Sequence, residues 1–111
     1  MRDYGLYIGK KYPPPDGCIL LVSSVFRTIF ERAIPEDAGE RVMEVFRKSM
    51  FPVDDPQEGD VVLMRGEQWH VGVVVKKGSM LHAAPPDGRA VIERYNSLHW
   101  KSRVKGFYRW R

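Results

Sequence analysis

The apolar residues in the first third of the chain recur at helical spacing. They lie mostly three or four positions apart, which places them on one face of a helix: Ile19, Val22, Val25, Phe26, Ile29 and Phe30. The break before them is sharp, because residues 10–17 read KKYPPPDG and three successive prolines cannot continue a helix. We therefore predict a helix over 18–31 with one broad buried face, whose start is capped by the carboxylate of Asp16.

The hydrophobic period changes along the rest of the chain. Residues 39–50 predict a second, more amphipathic helix, and residues 51–60 (FPVDDPQEGD) predict a loop. Beyond Asp60 the chain is rich in Val and aromatic residues, and KKG and PPDG punctuate it as turns. This pattern predicts five short strands, at 61–65, 70–76, 79–84, 90–95 and 103–111. Helices followed by strands predict an α+β fold, with N-terminal helices on an antiparallel sheet of about five strands.

Length and composition narrow the class of protein. A chain of 111 residues suits one domain, 1–111, with a single core. An apolar content of 43% and a charged content of 29% are typical of a soluble globular protein. No apolar run approaches the roughly 20 residues that span a bilayer, so we expect no membrane partner. Residues 1–12 lack the apolar region of a signal peptide, and we expect synthesis in the cytoplasm.

The formal charge of +4 is concentrated near the end, in RYNSLHWKSRVKGFYRWR. Basic and aromatic residues together suit a nucleic-acid-binding domain, whose affinity would fall steeply with salt. No nucleic-acid-binding motif accompanies them. A final strand with alternate residues in solvent explains the same letters, and we therefore expect no nucleic-acid partner.

Two of the three histidines, His70 and His82, lie twelve residues apart on the second and third predicted strands. If residues 76–78 form a three-residue loop, Gly72 lies opposite His82, and His70 is two residues further along on the same face. The two residues are then diagonal neighbours with backbones roughly 7–8 Å apart. A two-residue loop at 77–78 would instead place the rings on opposite faces.

Two imidazoles on one face can divide the work of catalysis. One acts as a general base, and the other binds its far nitrogen and fixes its orientation. Cys18 is the candidate nucleophile, because the unpaired N–H groups and the dipole at a helix start stabilise a thiolate. Taken singly, each residue has a simpler interpretation: a core cysteine, a histidine at a strand end and a core or turn histidine. Their joint pattern favours a reaction centre. Cys18 is the only cysteine, so no internal disulfide forms, and no CxxC or HxxxH pairing indicates zinc.

The segment GDVVLMRGEQWHVGVVVKKGSMLHAA, residues 59–84, resembles the NlpC-type cysteine peptidases, papain-like enzymes that cut peptide links in bacterial cell walls. The matching elements are Gly-Asp before a strand, His-Val-Gly with an apolar pair, and an apolar residue before His-Ala. The upstream segment YIGKKYPPPDGCILLVSSVFRTIF and the later VKGFYR are similar to the corresponding segments of family members found in phage tail proteins. The resemblance covers roughly residues 4 to 109.

The residues around the cysteine depart from the family pattern. The family usually has Asp directly before the cysteine, whereas Gly17 occupies that position here. An upstream tyrosine usually helps to hold the oxyanion, and Tyr7 and Tyr12 both compete for that place. Tyr12 fits the shortened lead-in better.

The resemblance implies a cysteine peptidase or amidase acting on stem peptides of peptidoglycan, at a γ-D-glutamyl bond to a diamino acid. Cys18 would attack as a thiolate, His70 would carry the proton, and His82 would orient His70, with no metal or organic cofactor. The protein would reach the wall at lysis or on a phage particle. The alternative is a catalytically degenerate structural component of a phage or prophage tail, with tail proteins as partners.

Overall fold

The computed structural model describes residues 3–33, 44 and 48–111. Within them, a short 3₁₀ helix (Tyr4–Tyr7) precedes one longer α-helix, α1 (Gly17–Ile29), and a six-stranded sheet. The strands run in the order β1-β6-β2-β3-β4-β5 across the sheet, and each neighbouring pair is antiparallel. Their bounds are β1 (Met50–Val53), β2 (Val61–Arg65), β3 (Trp69–Lys76), β4 (Ser79–Ala84), β5 (Arg89–Arg94) and β6 (Val104–Trp110). The predicted α+β class is confirmed, with six strands where about five were expected.

Helix α1 matches the predicted first helix to within two residues at each end. Four residues of the predicted face, Ile19, Val22, Val25 and Phe26, are buried, together with Leu21. The other two, Ile29 and Phe30, are only half-buried, and Phe30 lies just beyond the helix. Asp16 occupies the N-cap position, but its side chain makes no capping hydrogen bond, so the predicted cap is wrong. None of the helices in the described part of the chain is long and apolar enough to cross a membrane.

Both faces of the sheet are covered. One face packs against α1 through alternate strand residues such as Val71, Val73 and Leu81. The opposite face carries a second apolar cluster, which includes Val74, Met80 and Trp100. Burial on both sides explains why β2 reads VVLM without polar alternation, since all four of those residues are at most 1% exposed.

Strand β1 was missed, because residues 51–60 predict a loop. Pro52 lies within the strand opposite Tyr108, and β1 is the outermost strand next to β6. Proline lacks the N–H of a sheet ladder and is therefore tolerated on edge strands. The second predicted helix, 39–50, falls mostly outside the described residues. Residues 44, 48 and 49 are helical, whereas its last residue, Met50, begins β1.

Strand β6 lies inside the sheet, between β1 and β2. Its Arg109 binds the buried carboxylate of Asp60 through two hydrogen bonds, from Nε to Oδ1 and from Nη2 to Oδ2, both 2.9 Å long. Asp60 Oδ2 also accepts a 2.7 Å bond from the N–H of Gln57 and so closes the turn before β2. One positive charge of the basic C-terminal segment is therefore paired with a buried carboxylate of the fold.

Candidate active site

The hairpin of β3 and β4 places both histidines on one face of the sheet. The connecting loop is the two-residue turn 77–78, the alternative that by itself would place the rings on opposite faces. However, the register shifts between Val74 and Lys76, which leaves one extra residue in β3 as a bulge. The bulge restores the predicted pairing of Gly72 with His82. A two-residue turn alone would place the two rings on opposite faces of the sheet, and the bulge returns them to the same face.

The two imidazoles are in direct contact. Nε2 of His70 lies 2.8 Å from Nδ1 of His82, and the ring planes are inclined at 81°. His82 is fully buried. A Cβ on Gly72 would lie only 3.1 Å from both Cβ of His82 and the carbonyl oxygen of Leu81. Glycine at position 72 therefore leaves the space that the His82 side chain occupies.

A third polar side chain, Glu93 on β5, extends this contact. Its Oε1 lies 2.8 Å from Nε2 of His82. His82 pairs with Val91 across β4 and β5, so Glu93 stands two residues further along, diagonal to His82. Sequence reasoning missed Glu93. The PPDG turn could have revealed it, because that turn fixes the register of β5 against β4.

Trp100 holds the ring of His70 in place. The two rings are stacked, with centroids 5.6 Å apart and planes inclined at 14°, and the edge contact with His82 has a centroid distance of 5.0 Å. Trp100 is 4% exposed. The imidazole of His70 is thus oriented by a hydrogen bond at Nε2 and by a flat aromatic surface, and Nδ1 is its remaining polar atom.

Cys18, in the first turn of α1, is half-buried and lines one cavity together with His70. Burial raises the pKa of the Cys18 thiol, although the nearby backbone N–H groups of Val71, Ile19 and Cys18 itself act in the opposite direction. The predicted stabilisation of a thiolate is therefore wrong for the free protein, because desolvation outweighs the N–H groups of the helix start. Burial, followed by the charge of His82, lowers the pKa of His70 to about 4. At neutral pH the pair is a protonated thiol and a neutral imidazole.

The cavity has a volume of about 690 Å³. Its lining residues include Trp69 and Trp100 and two residues of opposite charge, Glu67 and Arg103. The guanidinium of Arg103 also lies over the Trp100 ring, 5.7 Å from its centroid. The cavity can therefore receive a ligand that carries both apolar and charged groups. Among the described residues, no group of three or more His, Cys, Asp or Glu is arranged to hold a metal ion.

The two candidate tyrosines occupy different places. Tyr12 lines the cavity, and its N–H donates a 2.8 Å hydrogen bond to the carbonyl of Gly88. The hydroxyl of Tyr7 instead donates to the carbonyl of Ser24 at 3.1 Å and accepts from the Ser24 hydroxyl at 3.3 Å. Tyr7 is also only 6% exposed and is not part of the cavity wall. The structure thus brings Tyr12, Cys18 and His70 to one cavity and places Tyr7 against α1.

The departure at Gly17 has a steric reason. A Cβ on Gly17 would lie 1.6 Å from the carbonyl oxygen of Tyr12, a distance at which atoms overlap. The backbone of Tyr12 fills the space that the side chain of an aspartate before Cys18 would need. Glycine at this position therefore accompanies the close approach of Tyr12 to the start of α1.

The model of the NlpC/P60 family matches residues 5–109, nearly the whole chain. No curated protein matches the sequence significantly.

Proposed function

The chain belongs to the NlpC/P60 family, and from that premise we propose that it is a cysteine peptidase that hydrolyses stem-peptide amide bonds of bacterial peptidoglycan. The family supports a cell-wall peptidase or amidase. The observation that carries the finer proposal is the shared cavity of Cys18 and His70, in which Nε2 of His70 is held by His82. A nucleophile and an oriented base facing one substrate-sized space form the arrangement that thiol hydrolases require.

The reaction starts from the neutral pair. As Sγ of Cys18 attacks the amide carbon, Nδ1 of His70 accepts the thiol proton, and the carbonyl oxygen becomes an oxyanion. The resulting imidazolium then gives this proton to the leaving amine nitrogen, so that the C–N bond breaks and a thioester remains on Cys18. Water, deprotonated by His70, hydrolyses the thioester and restores the thiol.

The oxyanion has two candidate donors. Asp16 makes no capping bond, so it does not occupy the N–H groups in the first turn of α1, which include that of Cys18. Tyr12 lines the cavity, and its hydroxyl is the second candidate donor. Donors aimed at a developing oxyanion contribute about 3–4 kcal/mol each in comparable hydrolases.

The cavity suits a short charged peptide. Pockets of about 300–1,000 Å³ hold drug-sized ligands, and this one measures about 690 Å³. Stem peptides carry free carboxylates, and their diamino acids carry an amine. Arg103 and Glu67 are charge-complementary to these groups. We propose the bond between a γ-D-glutamyl residue and a diamino acid as the site of cleavage.

The test uses purified peptidoglycan and mass spectrometry of the soluble products. We expect the wild-type protein to release stem-peptide fragments and Cys18→Ala to release none, because the variant lacks the sulfur that attacks the amide. Intact folding of the variant is checked by circular dichroism. Release by Cys18→Ala at the wild-type rate, or release by neither protein, would contradict the proposal.

A catalytically degenerate domain is the second candidate function, with a structural role in a phage or prophage tail. The raised pKa of Cys18 favours it, because most activated cysteines have a lowered pKa. The tail context comes from the sequence resemblance of the segment around Cys18. This candidate predicts that the wild-type protein cleaves no stem peptide and binds a tail protein equally well with Ala in place of Cys18.

A further inference from the structure

The direction of the hydrogen bond between the two imidazoles decides which nitrogen of His70 can accept a proton. A neutral imidazole carries one N–H and one lone pair. The 2.8 Å contact between Nε2 of His70 and Nδ1 of His82 fits a donor on either ring. If His82 donated, Nδ1 of His70 would carry the hydrogen and could not accept the thiol proton of Cys18. A group outside the pair must therefore fix the direction.

Glu93 provides that asymmetry. An ionised carboxylate only accepts hydrogen bonds, so the 2.8 Å contact with Glu93 requires Nε2 of His82 to carry the hydrogen. Nδ1 of His82 then holds the lone pair and accepts from Nε2–H of His70. Nδ1 of His70 keeps its lone pair.

We propose that Glu93 is a positioning residue that fixes the tautomers of His82 and His70 and thereby makes Nδ1 of His70 the proton acceptor for Cys18. The part concerning Cys18 rests on the proposed function, whereas the tautomers are a property of the free protein. Glu93 is not part of the cavity wall, so it acts through His82.

Burial makes the carboxylate necessary. The His82 side chain is 0% exposed, so bulk water cannot select its tautomer, whereas the Glu93 side chain is 41% exposed and keeps part of its hydration. The negative charge of Glu93 also raises the pKa of His70 and of His82 against the effect of burial. The same carboxylate therefore stabilises the imidazolium that forms on His70 during proton transfer.

The first experiment is ¹⁵N NMR of the histidine rings at neutral pH, in wild type, Glu93→Ala and Glu93→Gln. We expect both His70 and His82 of the wild type to be protonated at Nε2. Alanine leaves His82 without an acceptor, and the glutamine amide can donate as well as accept, so both variants should show mixed tautomers. Glu31→Gln, at an exposed position beyond α1, is the matched control and should give the wild-type spectrum. Hydrogen on Nδ1 of His70 in the wild type, or unchanged tautomers in both Glu93 variants, would overturn the proposal.

The second experiment measures turnover of a stem peptide. A wrong tautomer lowers kcat by orders of magnitude in serine peptidases; here we expect kcat to fall about 10-fold or more in Glu93→Gln, with KM within about twofold of wild type. Equal kcat in wild type and both Glu93 variants would overturn the positioning role. The NMR experiment needs no substrate. A wild type that cleaves nothing but has the expected spectra would therefore refute the peptidase while supporting the tautomer assignment.

Discussion

Acidification should destabilise this protein through His70 in particular. Burial, followed by the charge of His82, lowers the pKa of His70 from 6.5 to about 4. The unfolded chain therefore binds a proton at higher pH than the folded one, and the stability linked to His70 is fully present above pH 6.5 and is lost as pH falls towards 4. At about 1.4 kcal/mol per pKa unit the full loss is about 3 kcal/mol. By the same linkage, about 2 kcal/mol of it should occur between pH 7 and pH 5.

The assay is urea unfolding at pH 7 and pH 5 for wild type and His70→Gln, which cannot titrate at position 70. Groups that do not interact with residue 70 contribute nearly equally to both proteins, so the difference between the two pH dependences reports His70 together with its coupling to His82. We expect the unfolding free energy of wild type to fall by about 2 kcal/mol more than that of the variant. Glu31→Gln, at an exposed position beyond α1, is the control and should behave like wild type.

Equal pH dependences in wild type and His70→Gln would refute this reasoning. His70 would then titrate alike in the folded and unfolded chains. The lowering of the His70 pKa by burial would then be wrong.

Three further perturbations test individual parts of the site. Gly72→Ala should lower the unfolding free energy by about 1–3 kcal/mol in urea titrations and should also reduce kcat, because the added Cβ would lie 3.1 Å from Cβ of His82. A wild-type unfolding free energy and a wild-type kcat would show that the space beside His82 is not needed. Tyr12→Phe should lower kcat on a stem peptide about 10-fold or more if the Tyr12 hydroxyl binds the oxyanion. Tyr7→Phe should alter only thermal stability, since the Tyr7 hydroxyl binds Ser24. A loss of kcat in Tyr7→Phe but not in Tyr12→Phe would assign the oxyanion role to Tyr7. Arg103→Glu should raise KM for stem peptides with a free carboxylate, while Lys105→Glu, exposed on β6, should not; equal KM values in steady-state kinetics would remove Arg103 from substrate binding.

Local patterns predicted most of the fold. The spacing of Ile19, Val22 and Phe26 marks α1, and the Val-rich segments after Asp60 mark β2 to β6, because side-chain periodicity follows directly from backbone geometry. Strand β1 was missed because Pro52 reads as a loop residue unless the edge position of the strand is known. That position depends on pairing with β6, far along the chain, which local sequence does not encode.

The sequence predicted which residues lie together in the candidate site better than it predicted their ionisation states. Pairing across the β3–β4 hairpin placed His70 beside His82, although the bulge that produces this register is absent from the turn sequence. The same pairing arithmetic applied to β4 and β5 leads to Glu93. The ionisation of Cys18 could not be predicted, because it depends on burial by residues from other elements, which outweighs the effect of the helix start.

The most direct test of the central claim is the intact mass of the protein after rapid acid quenching of its reaction with a stem peptide. We expect a thioester adduct that peptide mapping assigns to Cys18 in wild type, no adduct in Cys18→Ala, and a strongly reduced rate of adduct formation in His70→Ala. Peptide cleavage that proceeds without any adduct on Cys18, or an adduct that forms equally fast without His70, would contradict a reaction driven by this pair.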